Sequence, residues 1–455
     1  MKTRMNFKDE FYQKLKLLVL PIAIQNFMLA LVSATDAIML GWIDQTSLSA
    51  VSLAGQVQFV LSLFISGIAA GAGIMAAQYW GKQDAASIEK VIPIALRTNL
   101  LFSGLFTILA GFCPEMLMRI FTNDAALVAS GSQYLRAVAL SYVLCGISQV
   151  YLILLKNTGH AAVSSRISST AVVLNIILNA ILIYGLCGAP ALGIRGAAYA
   201  TVAARVVELI WAYLETKKPE RVRILWNRLF SSAGKILSED FWRYTLPVLA
   251  ASLVCGIAYV LYSVIMGHMG SDAVAANSIT SIAKSLLSCL IRGVSGGAGV
   301  LIGNLLGANE LEKAREYGGR LSHLSIAIGI VTGGLLMLIS PAIVHFAPLS
   351  DTAAEYLQYM LLFCGLNLMA QSVNTTVLDG IFCAGGDAKF DMQGNIGAMW
   401  CFSVPLGFLA AFWLKLPVMV VYCIVNLDEI VKLPAVYHHY KKYIWVRNIT
   451  RDVED

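Results

Sequence analysis

The feature that most constrains the fold is a succession of twelve apolar stretches, each about twenty residues or longer. An α-helix rises about 1.5 Å per residue and a bilayer core is about 30 Å thick, so each stretch can cross a membrane as a helix. The 455 residues are 58% hydrophobic and only 13% charged, which excludes an ordinary soluble globular protein. The sequence therefore predicts an all-α integral membrane protein with twelve transmembrane helices. Their predicted limits are 15–41, 48–78, 92–112, 128–155, 161–186, 191–214, 242–267, 273–305, 321–346, 353–384, 388–414 and 417–440.

Lysine and arginine are concentrated on one side of the predicted helices. They fill the N-terminal tail, the segment 215–241 and the C-terminal tail, whereas the loops of the other side hold few of them. Because cytoplasmic loops carry the excess of basic residues, both termini are predicted to be cytoplasmic, in a multi-pass protein of the inner cell membrane. Topology and lipid contact explain this charge better than nucleic-acid binding does.

The two halves of the chain repeat each other. A shift of 226 residues places Leu20-Pro21 on Leu246-Pro247, and five of the six glycines between positions 20 and 81 then fall on glycine. Because each half holds an even number of spans, both halves have the same orientation, which indicates two six-helix lobes related by a pseudo-two-fold axis along the membrane normal. The predicted domains are an N-terminal lobe (1–214), a basic cytoplasmic linker (215–241) and a C-terminal lobe with a basic tail (242–455).

The first span contains a carboxylate and a proline that a passive membrane anchor does not need. Asp36 costs about 2.5–3.5 kcal/mol to insert into the hydrocarbon layer, and Pro21 favours a helix bend. Counting depth along the spans places Asn175, Asn179 and Thr201 near Asp36 in the outer half of the N-terminal lobe. Oxygen donors of this kind suit Na⁺, and a carboxylate also suits a proton. We therefore predict a cation site in a transporter; the alternative is that the amides only hold helices together.

A second set of residues is predicted to line a substrate cavity. The two glutamines lie at a depth comparable to that of Asp36, the aromatic side chains suit flat hydrophobic cations, and a mid-span lysine suits a watery cavity. Packing against helices or lipid is the alternative role for each aromatic residue. The set comprises Gln56, Gln58, Tyr142, Tyr151, Tyr259 and Lys284.

Other charged residues within the spans have local partners in sequence. Arg205 and Glu208 are three residues apart, and Asp428 and Glu429 precede Lys432 by one helical turn. Arg205 and Glu208 are interpreted as a local ion pair, and Asp428, Glu429 and Lys432 as a structural group.

No enzyme signature is present. The histidines are scattered, no HExxH occurs, and the glycine clusters lie inside apolar spans rather than after strands, so they are not phosphate-binding loops. We expect no catalytic residue, no cofactor, and no metal ion other than Na⁺ at Asp36. A membrane-embedded enzyme and a non-transporting scaffold are the alternatives from other classes.

The sequence resembles the multidrug and toxic compound extrusion (MATE) transporters over essentially its whole length. The resemblance rests on Pro21, the segment Asp36-Ala-Ile-Met-Leu-Gly41 and Gly81. It continues through Asn175-x-x-x-Asn179, Gly196-Ala-Ala-Tyr-Ala-Thr201 and Ala384-Gly-Gly-Asp-Ala388.

This resemblance implies an antiporter that exports organic cations in exchange for Na⁺ or H⁺. In one branch of the family, the positions matching Asp36, Asn175, Asn179 and Thr201 carry the cation site, and the matching Pro21 bends the first helix. The implied partners are small organic cations and membrane lipids, and a monomer is expected. The chain departs from the family at Asn179, where related members often have aspartate. A lipid-linked precursor flippase of the same superfamily is the alternative.

Overall fold

The computed structural model describes residues 7–41, 45–224, 229, 234–347 and 349–451. In this part of the chain the secondary structure is helical and contains no β-strand, as predicted. Parts of the predicted basic segments, including Lys2, Arg4 and Arg228, lie outside the described residues. The α-helices are Phe7–Gly41 (α1), Gln45–Gly81 (α2), Ala85–Phe112 (α3), Pro114–Arg119 (α4), Ala125–Leu155 (α5), Ala161–Tyr184 (α6), Ile194–Thr216 (α7), Lys235–Gly267 (α8), Ser271–Gly307 (α9), Leu311–Phe346 (α10), Asp351–Thr375 (α11), Ala388–Asn395 (α12), Val404–Phe408 (α13), Val418–Val425 (α14) and Asp428–Tyr440 (α15).

Each of the twelve predicted spans corresponds to one of these helices or to a run of consecutive helical segments. Within the described residues, ten continuous stretches are long and apolar enough to cross a membrane. The longest, Ala125–Tyr184, contains two predicted spans, and the chain breaks between them at Gly159, whose φ is +81°. The twelfth predicted span consists of the short helices α14 and α15. The twelve-helix prediction is therefore confirmed.

The internal repeat is visible in the helix bounds. Helices α2 and α9 both have 37 residues and begin 226 positions apart. Helices α3 and α10, and α5 and α11, also begin at positions that differ by 226. The sequence repeat is therefore a repeat of helices.

The described residues fold into two compact units. The N-terminal unit extends from Phe27 to Leu249, and the C-terminal unit combines the residues up to Asn26 with those from Ala250 onward. The boundary between the units therefore falls inside α1 and again inside α8. Each of these two helices contributes to both units.

Repeated glycines allow these shared helices to pack closely. In the N-terminal unit, a Cβ atom on Gly67 would lie 2.8 Å from the Cα of Leu249 on α8. In the C-terminal unit, a Cβ atom on Gly293 would lie 2.9 Å from the Cα of Ala23 on α1. Both glycines and both partners are related by the 226-residue shift. The glycine repeat thus marks equivalent helix–helix contacts.

Candidate functional site

A cavity of about 500 Å³ lies within the N-terminal unit. Its walls come from α1, α2, α5, α6 and α7, and pockets of 300–1,000 Å³ typically hold one small molecule. Both apolar and polar side chains line it. The polar lining side chains are Asp36, Ser52, Gln56, Gln58, Ser62, Tyr134, Asn175, Thr201, Arg205 and Glu208.

The four residues predicted as a cation site form one hydrogen-bonded chain at this cavity. Asn179 Nδ2 donates to Asp36 Oδ1 at 2.5 Å and to Asn175 Oδ1 at 3.2 Å. Asn175 Nδ2 donates to Thr201 Oγ1 at 3.3 Å, and the Thr201 hydroxyl donates to the carbonyl of Ala197 at 3.0 Å. The structure thus brings three helices together at Asp36. Cation binding by this group stays a prediction.

Helix geometry explains how these side chains meet. Asn175 and Asn179 are four residues apart on α6, so they lie on one face of that helix. Both are buried, at 6% and 1% exposed, while Asp36 is partly buried. Helix α7 packs against α6 and carries Thr201 to the same level. Helix α1 is continuous through Pro21 and positions Asp36 opposite them.

The amide oxygen of Asn179 is buried and has no hydrogen-bond partner among the described residues. A buried acceptor left unpaired costs about 1–3 kcal/mol, so its retention beside a carboxylate needs an explanation. Amide, hydroxyl and carboxylate oxygens are the donors that hard cations prefer. The described residues contain no group of three or more His, Cys, Asp and Glu side chains that could hold a metal ion.

The residues predicted to line the substrate cavity fall into two groups. Gln56 and Gln58 line the cavity of the N-terminal unit. Tyr142 and Tyr151 do not; they are buried among helices, at 1% and 0% exposed.

The other two predicted cavity residues belong to the C-terminal unit. There Tyr259 is 43% exposed, and Lys284 Nζ donates to Asn367 Oδ1 at 2.8 Å. Contact with substrate stays a prediction for all six residues.

Sequence reasoning missed that Arg205 and Glu208 line the same cavity as Asp36. Their predicted ion pair is confirmed, because Arg205 Nη1 contacts Glu208 Oε1 at 3.0 Å and Oε2 at 2.9 Å. A signal was available: Thr201, Arg205 and Glu208 are spaced i, i+4 and i+7, which is one face of a helix. With Thr201 in the site, this spacing would have placed Arg205 and Glu208 on the same wall of the cavity.

The predicted structural pairing at the end of the chain is also confirmed. Lys432 Nζ lies 3.2 Å from Glu429 Oε1 and 3.8 Å from Asp428 Oδ2. It also donates to Asn395 Oδ1 at 3.1 Å, and Asn374 Nδ2 donates to Glu429 Oε2 at 2.7 Å. These contacts lie within the C-terminal unit and pair the buried Lys432 with both carboxylates.

Comparisons with known proteins agree with this fold. A family model described as MatE matches residues 21–181 and 247–409, two segments that begin 226 positions apart. The chain is 21% identical over 427 residues to the uncharacterized transporter YisQ of Bacillus subtilis, covering 94% of this chain and 93% of that one. It is 24% identical over 390 residues to the probable multidrug resistance protein NorM of Agrobacterium fabrum, covering 84% and 83%.

A solved structure of similar fold is the outward-facing conformation of a multidrug resistance MATE family transporter of the MOP superfamily. It matches with a TM-score of 0.85 and 20% identity, over 95% of both chains. At this identity the likeness establishes the shared fold.

Proposed function

Because the chain belongs to the multidrug and toxic compound extrusion (MATE) family of membrane transporters, we propose that it is a cation-coupled antiporter. It exports organic, mostly cationic amphipathic compounds by alternating access, in exchange for H⁺ or Na⁺. It lies in the inner cell membrane with both termini in the cytoplasm. The distribution of lysine and arginine supports this orientation.

The observation that carries this proposal is the position of Asp36 in the cavity of the N-terminal unit. Among the described residues, the side-chain hydrogen-bond partner of Asp36 is the neutral amide of Asn179, at 2.5 Å, and an amide cannot compensate a full charge. A cation entering the cavity would compensate it. An organic cation and a small coupling ion would both be attracted to this carboxylate, which is one condition for exchanging one for the other.

Coupling requires that the ion and the organic cation prefer different conformations. A ligand with equal affinity for two states shifts no equilibrium, however tightly it binds. In our proposal, neutralisation of Asp36 favours a state in which α1 bends at Pro21 and the cavity contracts, which releases the exported compound outward. Pro21 lies fifteen residues before Asp36, about 22 Å along the helix. The two predicted lobes rock against each other in this cycle.

The site chemistry supports either coupling ion. The amide oxygen of Asn179, buried and without a partner among the described residues, together with the oxygens of Asp36 and Thr201, would serve as ligands for Na⁺. The carboxylate by itself would serve for H⁺. Transport under a gradient of one ion at a time distinguishes Na⁺ from H⁺ as the coupling ion.

The test is ethidium extrusion by the purified protein in liposomes under a Na⁺ gradient, a proton gradient or neither. We expect extrusion to follow one of the two ion gradients. In Asp36→Asn, gradient-driven extrusion should fall to the level of protein-free liposomes, because the amide carries no charge to be neutralised. Asp351→Asn is the matched control, since Asp351 is an exposed carboxylate at the start of α11. Undiminished coupled extrusion in Asp36→Asn would overturn the proposal.

A further inference from the structure

The cavity has a second charged group one helical turn from the predicted cation site. Arg205 follows Thr201 by four residues on α7, about 6 Å along the helix axis, and both line the cavity. This position puts a guanidinium and the Asp36 carboxylate in the walls of the same small space.

The ion pair with Glu208 uses only one edge of the guanidinium. Both Glu208 oxygens contact the same nitrogen, Nη1, at 3.0 and 2.9 Å, and the Ser148 hydroxyl donates to Oε1 at 2.6 Å. The Glu208 side chain is 1% exposed, whereas Arg205 is 19% exposed. Glu208 is therefore enclosed and satisfied, while part of the guanidinium remains accessible from the cavity.

The other edge of the guanidinium is available to a ligand. Among the described residues, neither Nε nor Nη2 of Arg205 donates to a protein acceptor. These two nitrogens form a planar fork whose parallel N–H groups match the two oxygens of a carboxylate. Lysine cannot supply that geometry, because its ammonium is a point charge on a flexible stem.

A purely structural role explains this arrangement poorly. A buried ion pair is often no more stabilising than apolar side chains of similar volume. Charged residues within membrane spans typically face a cavity and mark a substrate or ion pathway. The contact with Glu208 instead fixes the guanidinium plane so that its free edge is held in one orientation.

We propose that Arg205 determines substrate specificity by binding a carboxylate of the transported compound. The preferred substrates are then zwitterionic amphiphiles, with an amine that approaches Asp36 and a carboxylate that pairs with Arg205. This inference rests on the proposed function, because it takes the cavity as the substrate site. Within the organic cations, it adds a preference for compounds that also carry a carboxylate.

The test compares two probes that differ only in the carboxylate. N-unsubstituted rhodamine carries a xanthylium cation and a free carboxylate, and its methyl ester carries the cation alone. Binding of each dye to the purified full-length protein is followed by fluorescence polarisation. In Arg205→Lys we expect the Kd for the acid to rise roughly tenfold, because a bidentate contact becomes a single one. The Kd for the ester should stay within about twofold of its original value, since that dye makes no such contact.

Two further variants control for charge and folding. Arg195→Lys is the matched control, because Arg195 is an exposed arginine on the same helix and does not line the cavity. The double variant Arg205→Met with Glu208→Gln removes both charges and leaves neither unpaired. It should bind the ester as the original protein does and lose affinity for the acid at least as strongly as Arg205→Lys does.

The outcomes separate a binding role from a structural one. Equal weakening of both dyes in Arg205→Lys, or no weakening of either, would overturn the assignment of Arg205. Failure of gradient-driven extrusion in liposomes, with the difference between the two dyes intact, would overturn the antiport proposal and leave the binding assignment standing. Conversely, the antiport proposal would stand and the assignment of Arg205 would be wrong if the ester is exported under an ion gradient and Arg205→Lys does not weaken binding of the acid more than binding of the ester.

Discussion

The Asp36 carboxylate is held by a chain of neutral groups. Asn179, Asn175 and Thr201 link it through hydrogen bonds of 2.5, 3.2 and 3.3 Å to the backbone of α7. An arginine in place of Asn179 would neutralise the carboxylate permanently and would remove its response to a cation. Neutral partners orient Asp36 and leave its charge to be neutralised by a ligand from outside.

At the end of that chain, Thr201 offers a conservative test of the cation site. Thr201→Val keeps the shape of the side chain but removes the hydroxyl that accepts from Asn175 and donates to Ala197. Losing this hydrogen bond should reduce the binding free energy of the coupling ion by about 0.5–1.5 kcal/mol, which raises its half-saturating concentration roughly two- to tenfold. Thr201→Ser retains the hydroxyl and should stay close to the original value. The measurement is ethidium extrusion at a series of driving-ion concentrations; equal effects of valine and serine would contradict this role.

The depth of a residue along its span could be predicted from the sequence more readily than its direction around the helix. Depth along a span follows from a fixed rise per residue, so Asp36, Asn175, Asn179 and Thr201 could all be placed in the outer half of the N-terminal lobe. The direction of each side chain around its helix was less accessible where a span is apolar on all sides and shows no polar face. For this reason the burial of Tyr142 among helices could not be predicted, whereas the position of Arg205 could have been found from its spacing to Thr201.

At the element scale, the repeated glycines are sites of close backbone contact. A Cβ atom on Gly71 would lie 2.3 Å from Oγ1 and 2.6 Å from the Cα of Thr245, so the backbone of α8 would have to move. By contrast, a Cβ atom on Gly104 in α3 would meet no atom within 4 Å. Gly71 and Gly104 therefore allow a tightly packed glycine to be compared with an unhindered one within the same unit.

Substitution by alanine should destabilise the protein at Gly71 but not at Gly104. Gly71→Ala should destabilise the protein by about 1–3 kcal/mol, the usual effect of overpacking. Gly104→Ala should leave stability unchanged or raise it by up to about 1 kcal/mol, because alanine favours helix more than glycine does. Thermal unfolding of the purified variants in detergent measures both effects. A Gly71→Ala protein that unfolds at the same temperature as the original would contradict the contact.

The sequence predicted where helices occur better than where they break. Apolar length identified each span, and the break at Gly159 falls between two predicted spans because Lys156 and His160 interrupt the apolar run. The twelfth span was predicted as one helix, whereas the chain forms α14 up to Val425 and α15 from Asp428. Hydropathy reports composition and carries no information on backbone hydrogen bonds, so it could not reveal this break.

At the scale of the whole molecule, the repeat supplies the helices but not the charged site. The 226-residue shift places Asp36 on Tyr262, which is 7% exposed, and Thr201 on Leu427. The polar chain of the N-terminal unit therefore has no counterpart at the equivalent positions. In the proposed cycle one unit carries the response to the coupling ion, and α1, which belongs to both units, connects that response to the other half.

Because the charged site lies in one unit only, we predict that the affinities for the coupling ion and for ethidium depend on each other. If both act through Asp36, saturation with the coupling ion should weaken ethidium binding by some factor, and ethidium should weaken ion binding by the same factor. Coupling energies of this kind correspond to about 5- to 150-fold. Equilibrium titrations of the purified protein, with each ligand in the presence and absence of the other, measure the two factors independently.

Variants at two carboxylates make the linkage test specific. In Asp36→Asn the factor should fall to about one, because the amide has no charge for either ligand to neutralise. Asp351→Asn should keep the original factor, since its exposed carboxylate lies at the start of α11. If the affinity of the original protein for ethidium does not change with the concentration of the coupling ion, the two ligands are not coupled. The proposal that both act through Asp36 would then be wrong. If the factor stays above one in Asp36→Asn, residues other than Asp36 must couple the two ligands, because a coupling between their affinities requires a group whose state both ligands change.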